Sequence, residues 1–107
     1  MEKIVKQGIL YDYYGSLLTE RQQQIYEDAV SNDLSLSELA SEYGISRQGI
    51  HDLLKRCDRI LAGYEEKLGC IERDKKLRKA AEQILEKCST QDSEDKKALT
   101  EQMLDLL

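Results

Sequence analysis

Apolar positions along this chain recur at spacings of three and four, so the sequence predicts six helices joined by short turns. Ile4, Val5, Ile9, Leu10 and Tyr13 place a first helix from about Glu2 to Tyr14, ended by Gly15-Ser16. A second starts at Thr19, where Thr19-Glu20-Arg21-Gln22 matches a capping box, a hydroxyl cap with Gln three positions on. Its buried side is Ile25, Tyr26, Ala29 and Val30, and it stops near Asn32-Asp33. Ser35 caps a third helix, with Glu38 closing the box and Leu34 and Leu39 at the positions of a hydrophobic staple. Gly44 ends it, because glycine enters the left-handed region at little cost. Ile45 alone separates Gly44 from Ser46, the next cap, and Ile45 and Ile50 again have staple spacing. A turn this tight between two helices reads as a helix-turn-helix over residues 36–55.

The fourth helix runs from Ser46 to Leu68, roughly 35 Å at the usual rise per residue. Its seam is Ile50, Leu53, Cys57, Ile60, Tyr64 and Leu68, close to a heptad pattern. Gly69 interrupts it. A fifth helix reaches about Cys88 with Leu77, Ala81, Ile84 and Cys88 on one face. Ser89-Thr90-Gln91-Asp92 reads as a polar break, and Ser93 caps a last helix bearing Leu99, Met103 and Leu106. The expected architecture is all-α, a wingless helix-turn-helix with a long recognition helix. Residues 1–68 form the helical domain, and residues 69–107 a C-terminal helical extension that is a candidate dimerising element.

Composition supports that class. The chain has 107 residues and no Pro, so the strongest helix breaker is missing. No run approaches the roughly 18 apolar residues of a membrane span, so no membrane partner is expected. The N-terminal stretch MEKIVKQGILYDYYG has neither the apolar core nor the cleavage site of a secretory leader. Cys57, Cys70 and Cys88 are an odd number without C-x-x-C spacing, and there is one His, so neither a disulfide framework nor a zinc set is expected. Cys57 and Cys88 lie on apolar stripes and read as buried free thiols of a reducing cytoplasm.

The net charge of −5 argues against nucleic acid until it is divided. Residues 1–44 carry three basic and eight acidic residues, residues 45–79 ten basic and six acidic, and residues 80–107 three basic and seven acidic. A basic middle third thus lies between two acidic flanks, and a local cluster decides what a face can bind. The positive charge begins at Arg47, where the second motif helix starts. Leu39, Tyr43, Ile45, Ile50 and Leu53 point inward, leaving Ser46, Arg47, Gln48, His51, Asp52 and Lys55 outward. Arg and Gln can bond bidentately to guanine and adenine edges in the major groove, and a helix N-terminus at Ser46 can hold a phosphate. Arg56 and Arg59 follow at phosphate-contact positions. The candidate DNA-binding residues are therefore Ser46, Arg47, Gln48, His51, Lys55, Arg56 and Arg59. Against them stand Asp52 on the same face and Gly49 inside the helix. A solvated charged face or a protein-docking module is the plainer alternative.

Leu18-Thr19-Glu20-Arg21-Gln22 followed by Leu39-Ala40, Tyr43-Gly44-Ile45-Ser46 and Arg47 resembles region 4 of sigma-70-type RNA polymerase sigma factors, which reads the promoter −35 element. The chain is more similar to the YlxM family of small bacterial helix-turn-helix proteins. That resemblance rests on Tyr11-Asp12, Tyr14-Gly15, Leu17-Leu18-Thr19, Ser46-Arg47-Gln48-Gly49-Ile50-His51-Asp52 and Lys55-Arg56, and covers roughly residues 4–88. Members are encoded beside the signal recognition particle GTPase, and the resemblance implies a regulator or accessory factor of that protein-targeting pathway.

An enzyme is not expected. His51 has Asp52 adjacent rather than a turn away, and no phosphate-cradling glycine loop occurs. No cofactor is implied. The six Tyr are either stacking platforms for single-stranded RNA or aromatic core volume in a chain without Phe or Trp. Three readings follow: a DNA-binding regulator, an accessory factor touching the particle's RNA or GTPase, and a dimeric scaffold. A homodimer suits the first as well, since paired recognition helices read half-sites about one helical turn apart. The Ile50-to-Leu68 seam is covered either by that second copy or by the fifth and sixth helices.

Overall fold

Both capping boxes form. Thr19 Oγ1 accepts the Gln22 amide at 3.2 Å while Gln22 Oε1 accepts the Thr19 amide at 3.0 Å. Ser35 Oγ and Glu38 Oε1 make the same reciprocal pair at 3.1 and 3.0 Å. In this computed structural model, which describes residues 2–91 and 94–105, these caps start two of six α-helices; the described residues contain no strand. The helices are α1 (Lys3–Tyr14), α2 (Glu20–Val30), α3 (Leu36–Tyr43), α4 (Arg47–Leu68), α5 (Cys70–Gln91) and α6 (Glu94–Asp105). A short 3-10 turn, Gly15–Leu17, follows α1. The chain divides into two compact units, Met1–Leu68 and Gly69–Leu107.

In the first unit the core of the helix-turn-helix is one residue from each of three helices. Ile25 of α2, Leu39 of α3 and Ile50 of α4 are fully buried together. Both staples close on this cluster, with Leu34 and Ile45 packed against it. Gly44 sits at φ 65°, ψ 33°, and its amide donates to the Ala40 carbonyl. The Ile45 amide donates to the same carbonyl at 3.2 Å, the six-to-one bond of a Schellman end. The Tyr43 hydroxyl donates to Asp28 Oδ2, and Asn32 Nδ2 to Asp28 Oδ1 at 2.9 Å, tying the end of α3 to the end of α2. Those two bonds, the tyrosine's first, hold the Asp28 carboxyl below the usual carboxylate range.

A second buried group joins α1 to α4. Leu10, Tyr14, Tyr26, Cys57 and Leu61 are buried, and Tyr11 stacks on Tyr26 with ring centroids 5.5 Å apart. Tyrosine thus supplies aromatic core volume: Tyr26 is fully buried and Tyr14 nearly so. Burial pushes the Cys57 thiol up to about 11, so near neutral pH it is a protonated, apolar packing group. The register is set by Gln7 bonding Asp58 and Tyr14 bonding Glu65. Each pair is 51 residues apart, so α1 runs parallel to α4.

Three details depart from expectation. On α4 the buried ridge is Ile50, Cys57 and Leu61, whereas Ile60 is half-buried and Leu68 is 58% exposed. An ideal helix drifts from a heptad by about 20° per repeat, which turns Leu61 inward. Leu68 is uncovered because α1 stops at Tyr14, opposite Glu65, one turn short of it. The expected break at 89–92 is also wrong over its first part, since α5 continues through Gln91. Ser, Thr and Gln cost a helix little. In the second unit α5 and α6 pack together with Ala81 and Thr100 buried, but Leu77 and Ile84 stand nearly half exposed. The side chain of Cys88, the cap at Ser93 and Leu106 lie outside the described residues.

Gly49 has a steric reason to be in the helix. A Cβ there would come within 2.6 Å of Ile45 Cγ2 and 3.1 Å of Ser46 Oγ, whereas one at Gly63, also in α4, would meet nothing within 4 Å. The two glycines therefore respond oppositely to alanine. Gly63→Ala is expected to stabilise by about 1 kcal/mol through helix propensity. Gly49→Ala is expected to destabilise by about 1–2 kcal/mol, as the staple at Ile45 is forced outward. Urea unfolding of both variants checks this, and equal shifts of the same sign would contradict it.

Candidate nucleic-acid interface

The first turn of α4 is held by its own cap. Ser46 Oγ accepts the Gly49 amide at 3.0 Å, so the hydroxyl oxygen is used structurally while its proton stays available to a ligand. From there the outward side of α4 carries two neighbouring rows at four-residue spacing. One is Arg47, His51, Lys55 and Arg59; the other is Gln48, Asp52 and Arg56. The core residue Ile50 lies behind them, fully buried, which fixes the rows outward. Six of the seven sequence-predicted residues thus fall in these two rows of α4, Ser46 stands at its cap, and all but the half-buried His51 are exposed.

Asp52 lies beside a residue of each row. Gln48 Nε2 donates to Asp52 Oδ1 at 2.9 Å, and His51 Nδ1 lies 3.6 Å from the same oxygen. His51 Nδ1 is closed to solvent and has no hydrogen-bond partner among the described residues, so Nε2 is the ring nitrogen left for an outside group. Asp52 therefore orders Gln48 while placing a negative charge among cations.

Farther along, Lys55, Arg56 and Arg59 line an open cleft of about 580 Å³ together with Asp52, Asp58 and Lys3. Lys3 was missed by sequence reasoning. It belongs to α1 and reaches this side only because α1 runs parallel to α4, a register with no local signal. Among the described residues, none of Lys3, Arg47, Lys55, Arg56 and Arg59 has a carboxylate within salt-bridge distance. Such an array can offer Arg and Gln forks at the start of α4 and receive phosphate oxygens farther along it.

A sequence model described as "Putative helix-turn-helix protein, YlxM / p13 like" matches residues 1–102. The chain belongs to that family, UPF0122. It is 52% identical over 71 residues to a UPF0122 protein of Desulforamulus reducens, across 66% of this chain and 61% of that protein. A UPF0122 protein of Clostridium novyi is 45% identical over 87 residues, with 81% of this chain and 76% of the relative covered. One from Clostridium botulinum is 41% identical over 98 residues, covering 88% and 90%. Among the described residues no helix is long and apolar enough to cross a membrane, and no group of three or more His, Cys, Asp or Glu is placed to hold a metal ion.

Asp52 makes the electrostatics of this UPF0122 surface testable. Asp52→Asn keeps an acceptor for Gln48 but removes the charge, and is expected to raise affinity for duplex DNA at low salt about two- to five-fold. Asp12→Asn, on exposed α1 surface, serves as the charge-matched control and is expected to change nothing. Fluorescence anisotropy measures both; weaker binding by Asp52→Asn would mean its carboxylate assists rather than repels.

Proposed function

We propose that this UPF0122 protein is a non-enzymatic, DNA-binding regulator that lays the first half of α4 in the major groove of duplex DNA. The observation that carries this reading is the outward row Arg47, His51, Lys55 and Arg59, mounted on the buried triad Ile25, Leu39 and Ile50. A helix about 10–12 Å across fits a major groove about 12 Å wide, and its first residues meet base edges. Arg47, Gln48 and the His51 Nε2 are the base-reading groups, with Ser46 at the phosphate beside the helix end. Lys55, Arg56 and Arg59 hold the backbone. Half-exposed Leu77 and Ile84 on α5 support pairing with a second copy through residues 69–107, which would present two α4 helices to two half-sites.

Substitution separates reading from holding. Arg47→Ala is expected to cost about 1–3 kcal/mol on the preferred sequence and to flatten sequence preference. Arg59→Ala is expected to weaken all sequences alike and to lower the slope of log affinity against log salt by about one. A selection from random duplexes followed by anisotropy titrations measures both effects. Unchanged duplex binding in both variants would refute the reading.

A second reading is favoured by the unpaired cations of the cleft, which suit RNA phosphates as well as DNA. In it the protein is an accessory factor of the signal recognition particle, acting in protein targeting in the cytoplasm, where its free thiols stay reduced. A low-salt pull-down from native lysate is then expected to recover particle RNA or GTPase. Recovery of neither would remove this reading.

A further inference from the structure

The cleft between α1 and α4 is a strongly charged feature that the recognition-helix reading leaves partly unexplained. Four cations from two helices, Lys3 with Lys55, Arg56 and Arg59, face it beside only two carboxylates. Both carboxylates are already engaged by uncharged or weakly basic donors. Asp52 accepts from Gln48, and Asp58 accepts from Gln7 at 2.9 Å and from the Tyr26 hydroxyl at 2.6 Å. Neither lies within salt-bridge distance of a cleft cation. A surface that needed these charges for stability would pair them; here Asp58 is held from the core side by Tyr26, Asp52 is held by Gln48, and the bases are left to the solvent.

Lys3 is at this position for a structural reason. Gln7 and Tyr14 of α1 meet Asp58 and Glu65 of α4 at a constant offset of 51. Lys3 is one turn before Gln7 on the same face of α1, so it falls beside the stretch from Asp52 to Lys55. The first turn of α1 is thereby set alongside the part of α4 that follows the base-reading residues. Lys6, also exposed, is not among the residues lining the cleft.

We propose that the α1–α4 cleft seats the phosphodiester backbone of the duplex that α4 reads, with Lys3 supplying a phosphate contact from outside the helix-turn-helix. This rests on the DNA-binding reading and adds α1 to the interface. The cleft is open rather than enclosed, which suits a continuous polyanion passing through. Each contacted phosphate of B-DNA contributes about 0.9 to the salt slope, so one lost contact is readable.

The test uses the full chain and a random-sequence duplex in anisotropy titrations over a series of salt concentrations. Lys3→Gln is expected to lower the slope by about 0.9 and to weaken binding roughly ten-fold at low salt. Lys3→Arg is expected to restore both. Lys6→Gln removes the same charge from the same helix and is expected to match wild type, and circular dichroism confirms that each variant is folded. If Lys3→Gln behaves as wild type while Arg59→Gln loses slope, the cleft proposal fails and the reading of α4 stands. An equal loss in Lys3→Gln and Lys6→Gln also overturns it, because diffuse charge would then be the cause. If wild type binds no duplex, or Arg59→Gln changes nothing, the DNA-binding reading falls and this proposal with it.

Discussion

Three helices of the first unit meet at the carboxylate of Asp58. It accepts from Gln7 of α1 and from the hydroxyl of Tyr26 of α2, while belonging itself to α4. Tyr26 is fully buried, and a buried hydroxyl without a partner would cost about 1–3 kcal/mol. Burial first, and then the bond to Asp58, push the Tyr26 phenol far above the ordinary tyrosine range, so it is a permanent donor at any working pH. A carboxylate on one helix and a fixed donor on another leave little freedom in how the helices slide. Through Gln7 the same carboxylate sets the register of α1, and that register places Lys3 at the cleft. Stability and surface chemistry are thus joined at one residue.

Helix α4 is divided along its length. Its first half is backed by Ile25, Leu39 and the two staples, and keeps its outward side clear. Its second half is covered by α1 at Cys57 and Leu61 and by the stacking of Tyr14 on Tyr64. The magnitudes explain which residues hold the fold. Burying a side chain such as Ile50 or Leu39 contributes about 1.5–3 kcal/mol, whereas an exposed ion pair contributes about 0–1. Rearranging the charges of Arg47, Lys55 and Arg59 would therefore cost the fold little, and they are free to be arranged for a ligand.

What was legible in the sequence was local. Thr19 with Gln22, Ser35 with Glu38, and Gly44 before Ser46 are signals spanning three or four residues, each with its own backbone consequence, and they located the helix-turn-helix. The outward set on α4 followed from the same periodicity. The alignment of α1 on α4 spans 51 residues and depends on side chains whose types are unremarkable alone, so Lys3 could not be assigned. Leu61 and Leu68 were misjudged for a related reason: periodicity says which way a residue points, not whether a neighbouring helix extends that far. Gly49 looked like a defect because its cost is local and its cause, the methyl of Ile45, belongs to the preceding turn. Ser89-Thr90-Gln91 has the polarity of a turn but no Gly or Pro to end a helix, and α5 runs through it.

The overall charge of −5 acquires a different meaning once its position is known. On the proposed reading, acidic residues on α2 and α3 repel a duplex approaching those helices, while the unpaired cations on one side of α4 attract it. A uniformly basic protein of this size would be held by random DNA through counterion release alone. Here the repulsion opposes that non-sequence-specific term along α2 and α3 and not along the outward side of α4 and its cleft. Orientation is then selected before base contacts form, and the bidentate groups at Arg47 and Gln48 act on a duplex already aligned. On that reading, acidic composition narrows where nucleic acid can bind, and in doing so gives the cations of α4 more control over how.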